Sequence, residues 1–271
     1  MKVNELATRE ELISTPLPVW ENTYTPISNK SIFDKIDENI RGGGLIIKNE
    51  EYRVSRTQSG IIKGVIGAID IAGGDNEEFG RRIMFRNSYD KSMSFAIVCG
   101  TTTWICSNGS IRGDNFEYKR VHKGTADEDS LLNIDASFEA LDNEYKIICE
   151  QLGNLKECHV DNKLMHELVG NLFFEQGAIT SVQLNIFKEQ LWKSDKFRHI
   201  DDKDFSAFDC YEHLTETLKR SHCSSYIQDH ISVHRLFENR FINTKEPVQI
   251  ITSESAEIIK PTVEEVVEFA E

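Results

Sequence analysis

Histidines and cysteines gather late in the sequence, where they could hold a metal ion. Cys210 and His213 lie three residues apart and His230 and His234 four apart, so each pair falls on one face of a helix. Zinc sites use such pairs. The spacing between the two pairs fits no zinc motif, however, and no H-E-x-x-H segment is present. We therefore predict that these side chains lie on the surface or serve helix packing, with no metal and no other cofactor.

Residues 87–109, NSYDKSMSFAIVCGTTTWICSNG, combine acids, a lysine and thiols that could in principle act in catalysis. Asp90 and Lys91 are adjacent, but neighbouring side chains of a strand point to opposite faces of the sheet. Cys106 has no histidine that the spacing identifies as its base, so we expect a buried thiol rather than a nucleophile. The sequence therefore predicts no catalytic residue and a protein that is not an enzyme.

Positive charge is concentrated in one region of an acidic chain. The net charge is −14, but residues 41–125 carry +4, against −3 over 1–40, −7 over 126–200 and −8 over 201–271. Cations and aromatic rings on one sheet are the means by which proteins hold single strands without reading their sequence. This pattern predicts a nucleic-acid-binding set that consists of Arg81, Arg82, Arg86, Tyr89, Lys91, Arg112, Lys119 and Arg120.

The acidic remainder supports an alternative. Residues 126–271 carry −15, and a negative surface can meet a basic protein partner. Pro16 and Pro18 interrupt any helix near the start of the chain, where Leu17, Val19 and Trp20 supply apolar anchors that could dock on a body. The alternative hypothesis is thus an acidic factor that binds another protein.

The spacing of apolar residues changes along the chain, and it predicts the strands and helices that position these residues. Residues 1–40 read as an extended arm followed by a short helix whose apolar positions include Ile32, Phe33 and Ile36. Residues 44–122 alternate with a period of two and predict about six strands of an antiparallel meander. Helical periodicity then covers residues 127–239.

This order predicts an α+β fold, with an N-terminal antiparallel β-meander of about six strands and a mostly helical C-terminal half. The α+β core is expected over residues 41–240, and residues 241–271 are expected to form an acidic tail with a short helix.

Composition predicts the class of the protein and where in the cell it is located. Of 271 residues, 39% are apolar and 28% charged, which is typical of a soluble globular protein. No apolar run is long enough to predict a membrane span, and the first residues lack the apolar region of a signal peptide. Six cysteines without a C-x-x-C pair indicate reduced thiols. We expect a cytoplasmic protein with no membrane partner.

The segment RNSYDKSMSFAIVCGTTTWICSNG and the later RVHKGTA resemble the phage/plasmid-like family of unknown function, DUF family 932. That family shows an Asn-Ser-His-Asp-Gly run, an alternating strand, a Cys-x-Asn-Gly-like turn and a basic-residue-x-His segment. An aromatic-rich helix that ends in Thr-Glu is similar to FSAFDCYEHLTETLKR here. The resemblance spans roughly residues 45–240 and assigns structural motif roles to Asn87, Ser88, Asp90, Cys106, Asn108, Gly109, His122, Thr215 and Glu216.

Two departures qualify the resemblance. Tyr89 stands where the family has His and Lys91 where it has Gly, so a catalytic base at that position is not expected. The resemblance implies origin in a phage or mobile element, with the host cytoplasm as the location.

The combined expectation is a non-enzymatic accessory protein of phage replication or recombination. It would bind single-stranded nucleic acid in a single-strand-binding or annealing-like manner and act as a homo-oligomer. A short helix, a strand meander and a long helix follow in the same order in single-strand annealing proteins, which is an analogy of fold alone. The alternative function is inhibition of a host anti-phage defence complex by protein binding.

Overall fold

A computed structural model describes residues 3–73, 77–104, 107–112, 117–193 and 205–243. The strands are β1 (Val3–Ala7), β2 (Ile47–Arg56), β3 (Ile62–Ile71), β4 (Phe79–Ser88), β5 (Phe95–Thr103), β6 (Asn108–Ser110) and β7 (Glu117–Arg120). The helices are α1 (Arg9–Ser14), α2 (Asn29–Gly42), α3 (Ala126–Lys156), α4 (Asn162–Gly170), α5 (Ser181–Lys193), α6 (Ala207–Leu218) and α7 (Tyr226–Phe237). Two π-helical turns, Asn171–Glu175 and Glu238–Ile242, follow α4 and α7.

The strands form one antiparallel sheet in the order β1-β2-β3-β4-β5-β6, and β7 also pairs with β5. β6 pairs with Thr101–Thr103 and β7 with Phe95–Val98, so the two short strands share one edge of β5 in tandem. The predicted α+β fold, with an antiparallel sheet followed by a mostly helical half, is confirmed. The strands follow one another along the sheet because short turns join neighbours in an antiparallel meander.

Both faces of the sheet are covered, and the alternation of strand side chains decides which residue meets which cover. Ile83 and Phe85 of β4 pack with α2 and α3 in one hydrophobic cluster. Met84, on the opposite face of β4, packs with Tyr226 and Ile231 of α7 in another. Strands buried on both sides read as nearly continuous apolar runs, which explains the sequence of β3 and β5.

The 31-residue helix α3 joins two parts of the molecule. Ile134 and Leu141 in its first half pack against the sheet. Ile148 and Leu152 in its second half belong to a third cluster, which α4, α5, α6 and α7 complete. Three acids in the first turn of α3 favour the helix start because they lie at the positive end of the helix dipole.

β1 and α1 pack against the sheet and α2. β1 extends the sheet by pairing with β2, and α1 begins after Thr8, whose hydroxyl accepts from the backbone N–H of Glu11. Ser28 caps α2 in the same way through the N–H of Ser31. The predicted acidic tail lies, from residue 244 onward, outside the described residues. No helix within the described ranges is long and apolar enough to cross a membrane.

Candidate functional site

Arg82, predicted to bind nucleic acid, is buried between the sheet and α7. Its Nε and Nη2 atoms lie 2.5 and 3.0 Å from the carboxylate of Asp70, and Nη2 also donates to the Thr102 hydroxyl and the Ser107 carbonyl. Burial opposes the charged form of Arg82, but the Asp70 carboxylate raises its pKa above the usual value. This guanidinium is committed to a partner inside the protein.

Arg86 points into the same interface. Its Nη1 donates to the Ser224 carbonyl just before α7, at 2.5 Å, and its Nε and Nη2 reach the carbonyl and hydroxyl of Ser94 at 3.3 Å. The alternation of β4 places residues 82, 84 and 86 on one face, which α7 covers. Arg86 therefore joins α7 to the sheet.

Three more arginines of the predicted set meet acids from the helical half. Arg81 lies 2.5 Å from Asp142 and stacks over the Tyr145 ring at 5.0 Å. The remaining two ion pairs are Arg112 with Glu238 at 3.6 Å and Arg120 with Asp129 at 2.9 Å. Each pair joins the basic strand region to an acidic helix. Part of the positive charge of the strand region is therefore paired, within the folded chain, with acids of the helical half.

The last three members of the set lie near the β7 edge and the 20–29 segment. The Tyr89 hydroxyl accepts from the backbone N–H of Asn29 at 2.8 Å. Lys91 pairs with Glu21 at 2.6 Å and lies over the Tyr24 ring. Lys119 is exposed on β7. The eight predicted residues thus divide between an interior interface and an edge, and they do not form one continuous basic face.

Part of the family-like motif forms a clamp on residues 24–29. The buried amide of Asn87 donates to the carbonyl of Ile27 and to the side-chain oxygen of Asn29, both at 2.8 Å. The Tyr24 hydroxyl donates to the carbonyl of Ser88. The Ser88 hydroxyl in turn closes the following turn through both backbone groups of Met93. We call Asn87, Ser88, Tyr89 and His122 the clamp.

His122 completes the clamp from the other side. Its carbonyl accepts from the N–H of Thr25 at 3.0 Å, its Nδ1 lies 3.3 Å from the Thr25 carbonyl, and its ring lies 5.4 Å from that of Tyr24. Burial lowers the pKa of His122 below its ordinary value. A buried neutral imidazole suits a structural role, because burial of a charged ring costs free energy unless the ring is paired.

Asp90 and Lys91 shape the turn beside the clamp. The Asp90 carboxylate accepts from the N–H of Ser92 at 3.0 Å and pairs with Lys63 at 3.4 Å. Partial burial raises the pKa of Asp90, but these hydrogen bonds and Lys63 outweigh it and hold the pKa below the usual value. Lys91 has a φ of 66°, a backbone conformation that favours glycine, which the family shows at this position.

The second part of the motif ties β6 to α6. The Asn108 amide donates to the Glu212 carboxylate at 3.1 Å and to the Glu212 carbonyl at 2.9 Å, and the Thr103 hydroxyl donates to the same carboxylate. Gly109 lies directly over the Arg82 guanidinium, where any Cβ would clash. A glycine is required there because the side chain of another strand occupies the space.

The remaining motif residues have local roles or lie outside the description. The Thr215 hydroxyl donates to the carbonyls of Tyr211 and Glu212 within α6. Glu216 pairs with Lys219 at 2.6 Å. Cys106 lies outside the described residues.

The late histidines are buried between helices. His234 connects the Tyr211 hydroxyl, 3.1 Å from its Nδ1, with the Gln151 amide oxygen, 3.0 Å from its Nε2. Neither ring nitrogen of His230 makes a hydrogen bond of normal geometry with another described residue. Burial, together with the charges of Arg82 and Arg53, lowers the pKa of His230 to about 3. In the part of the chain that the structure describes, no group of three or more His, Cys, Asp or Glu side chains could hold a metal ion.

The thiols of the described residues are poor nucleophiles for a physical reason. Burial is the first cause that raises the pKa of Cys99, Cys158, Cys210 and Cys223, and the half-buried Cys149 follows the same direction. A raised pKa leaves less thiolate, which is the reactive form.

Two important residues were not predicted from the sequence. Asp70 sits in the apolar run GVIGAIDIA, and a lone acid in a doubly buried strand is a signal that a cation must meet it. Glu212 is the acceptor that joins α6 to Thr103 and Asn108, and nothing in its helical sequence context distinguishes it from a surface glutamate.

Two exposed apolar features stand out on the surface. Phe174, on the π-helical turn after α4, exposes 82% of its surface, while its neighbour Phe173 packs against the helical core. Near the start of the chain, Val19 and Trp20 expose 83% and 58%. Single exposed apolar side chains are ordinary on protein surfaces, whereas contiguous apolar patches mark candidate interaction sites.

Comparison with known proteins gives one match. A family model described as a domain of unknown function (DUF932) matches residues 16–238. No curated protein and no solved structure shows significant similarity to the chain.

Proposed function

The chain belongs to the DUF932 family, defined by a domain of unknown function, and from this premise we propose a protein-binding role. In this proposal the protein is a non-enzymatic accessory factor of a phage or mobile element that inhibits a host defence complex by binding one of its proteins. The observation that carries the proposal is the internal pairing of the strand-region cations with helical acids. The setting in a phage or mobile element is taken from the resemblance described above.

The negative charge at the surface of the helical half supports the proposal of a protein partner. Because Arg81, Arg82 and Arg112 already have acidic partners, they contribute little positive potential at the surface. The exposed acids Glu167 and Glu175 lie on α4 and on the π-helical turn that follows it. A negative surface repels nucleic acid and attracts proteins that carry a basic, nucleic-acid-binding surface. A defence nuclease or helicase has this chemistry.

Phe174 offers an anchor within this acidic surface. An aromatic side chain that enters a pocket of the partner can supply much of the binding energy, while charged residues around it set orientation and association rate. Glu175 follows Phe174 directly, and Glu167 lies two helical turns earlier. We define Glu167, Phe174 and Glu175 as the acidic aromatic surface.

The test is affinity capture from host lysate, with and without nuclease treatment. We expect a nuclease or helicase recovered in stoichiometric amount, insensitive to nuclease treatment, and lost with Phe174→Ala together with Glu175→Lys. Leu132→Ala is the matched control, because Leu132 is an exposed apolar residue of α3 outside this surface. Equal capture by both variants, or recovery of nucleic acid alone, would contradict the proposal.

Single-stranded nucleic acid binding is the second candidate, and a specific observation favours it. Lys119 and Lys123 are exposed close to one another along the chain, at the β7 edge, and neither has an ion pair with a described residue. An edge of this kind can contact phosphates without any contribution from the buried Arg82 and Arg86.

Fluorescence anisotropy of a labelled single strand at low salt tests this candidate. Binding that weakens steeply with added salt and by at least about tenfold in Lys119→Glu with Lys123→Glu would support it. The control is Lys30→Glu, which reverses an exposed charge on α2. An unchanged anisotropy at low salt would exclude this candidate.

A further inference from the structure

Residues 16–20, between α1 and the Glu21–Tyr24 bridge, differ from the segments on either side in their backbone contacts. The backbone of residues 16–20 makes no hydrogen bond with any other described residue. Pro16 and Pro18 fix extended backbone dihedrals and remove donors. We call residues 15–23 the link. It connects a unit formed by β1 and α1 to the remainder of the chain.

The unit formed by β1 and α1 binds to the body through specific contacts. β1 pairs with β2 in a defined register, and Glu5 and Glu11 both meet Arg56, at 3.1 and 2.6 Å. Arg9 lies 2.6 Å from Asp37, and Leu12 is fully buried in the core that α2 contributes to. An identical surface on a second copy would receive the same unit with the same contacts.

The link carries three apolar side chains that the folded single chain leaves exposed. Leu17, Val19 and Trp20 lie within four residues of one another, and all three are exposed. If two copies exchange their β1–α1 units, both links must cross between the bodies, where they come together. Burial of these side chains would then stabilise the exchanged pair by the hydrophobic effect.

We propose that a second copy of this chain is the partner of the β2 edge, through reciprocal exchange of the β1–α1 unit. The exchange preserves every contact of the unit and adds contact between the two links. Pro16 and Pro18 fix φ at about −65° and so restrict the conformations of the link. This inference is independent of the proposed function and concerns a different surface from the acidic aromatic surface.

Cysteine pairing between chains tests the exchange directly. Leu6 and Arg53 are register partners of β1 and β2, so cysteines at these positions can form a disulfide only where the two strands pair. Leu6→Cys and Arg53→Cys chains are unfolded together, refolded as a mixture and oxidised. We expect covalent heterodimers. A mixture of Leu132→Cys with Arg53→Cys is the collision control, because Leu132 is exposed on α3.

The link is tested separately by Val19→Ser with Trp20→Ser, two exposed positions whose change should leave the folded chain intact. We expect the dissociation constant of the dimer, measured by analytical ultracentrifugation, to rise at least tenfold. A chain that is monomeric at all concentrations, or a dimer that gives no covalent heterodimer above the control, overturns the exchange. Unchanged dimer affinity in the link variant overturns the role of Val19 and Trp20.

Discussion

Arg82 and Arg86 illustrate how strand alternation decides the use of a charge. Both share a face of β4 with Met84, and that face is covered by α7. Their charges therefore meet Asp70 and backbone carbonyls instead of solvent. The presence of a cation in a strand does not show whether its side chain is exposed. The same alternation occurs whether that face of the sheet meets solvent or is covered by another element, so the covering element must be known first.

The Arg82–Asp70 pair should be costly to break from one side. Asp70→Ala leaves a buried guanidinium without its carboxylate, and we expect a loss of about 3–5 kcal/mol in the free energy of unfolding. Urea denaturation measures it. Lys30→Ala is the control, since it removes an exposed pair with Asp34 and should cost less than about 0.5 kcal/mol. Similar losses of stability in the two variants would contradict the prediction that the buried pair contributes more than an exposed one.

His230 should make stability depend on pH. Its pKa is lowered to about 3 in the folded protein from 6.5, so between these values the unfolded chain binds a proton that the folded chain does not. The stability that this neutral ring contributes is complete above about pH 6.5 and is lost as pH falls, by up to about 1.4 kcal/mol per pH unit.

His230→Phe tests this dependence because it keeps an aromatic ring and removes the titrating group. We expect the slope of unfolding free energy against pH, measured by urea denaturation between pH 4 and 7, to decrease in the variant. His222→Phe is the control, since His222 is exposed. An unchanged slope in His230→Phe would contradict the prediction.

At the scale of elements, several of the described motif residues hold segments of the fold together. Asn87 and His122 fasten residues 24–29, and Asn108 fastens α6. Each is a polar side chain that satisfies backbone groups where a loop meets the sheet, and such groups must be paired when they are buried.

Removal of the Asn87 amide should release this segment. Asn87→Ala leaves the Ile27 carbonyl and the Asn29 side chain without a donor, at a cost of about 1–3 kcal/mol. Hydrogen exchange should show faster exchange at the Thr25 amide. Lys48→Ala, which truncates an exposed side chain of β2, should leave that rate unchanged. Equal protection of Thr25 in both variants would mean that the clamp does not hold the segment.

That β3, β4 and β5 are strands and that α3 has a long apolar face were predictable from the sequence, because the strand segments are short, apolar and bounded by turn residues and α3 repeats apolar residues at helical spacing. The burial of both faces of these strands does not follow from a period of two. Three-residue β6 gives too short a pattern to predict its pairing, and its place depends on the tie between Asn108 and Glu212 over a long separation. Which face α7 covers could not be predicted either, because helical periodicity shows that a helix has an apolar face but not what that face meets.

At the scale of the molecule, α3 makes the sheet and the helical half one packing unit. Ile134 belongs to the sheet-side core and Ile148 to the helical core, and both are fully buried on one continuous helix. A substitution that destabilises one of these two cores should therefore also destabilise the other, because α3 belongs to both.

Ile134→Ala and Ile148→Ala should each lower the stability of the entire protein. We expect a cost of about 2–5 kcal/mol for each, from lost burial and the cavity left behind. Unfolding followed by tryptophan fluorescence and by circular dichroism should give coincident single transitions in both variants. Leu132→Ala, at an exposed position of the same helix, is the control. Two separate transitions would show that the cores unfold independently.

The covering of the sheet by α7 also has a consequence for synthesis on the ribosome. The strands emerge first, and the helix that covers their second face is made more than a hundred residues after β5. Until then Asp70 and Arg82 have water around them, and Met84, Ala96 and Val98 form an uncovered apolar strip. We therefore expect a nascent chain that stalls before residue 226 to be prone to aggregation through this strip.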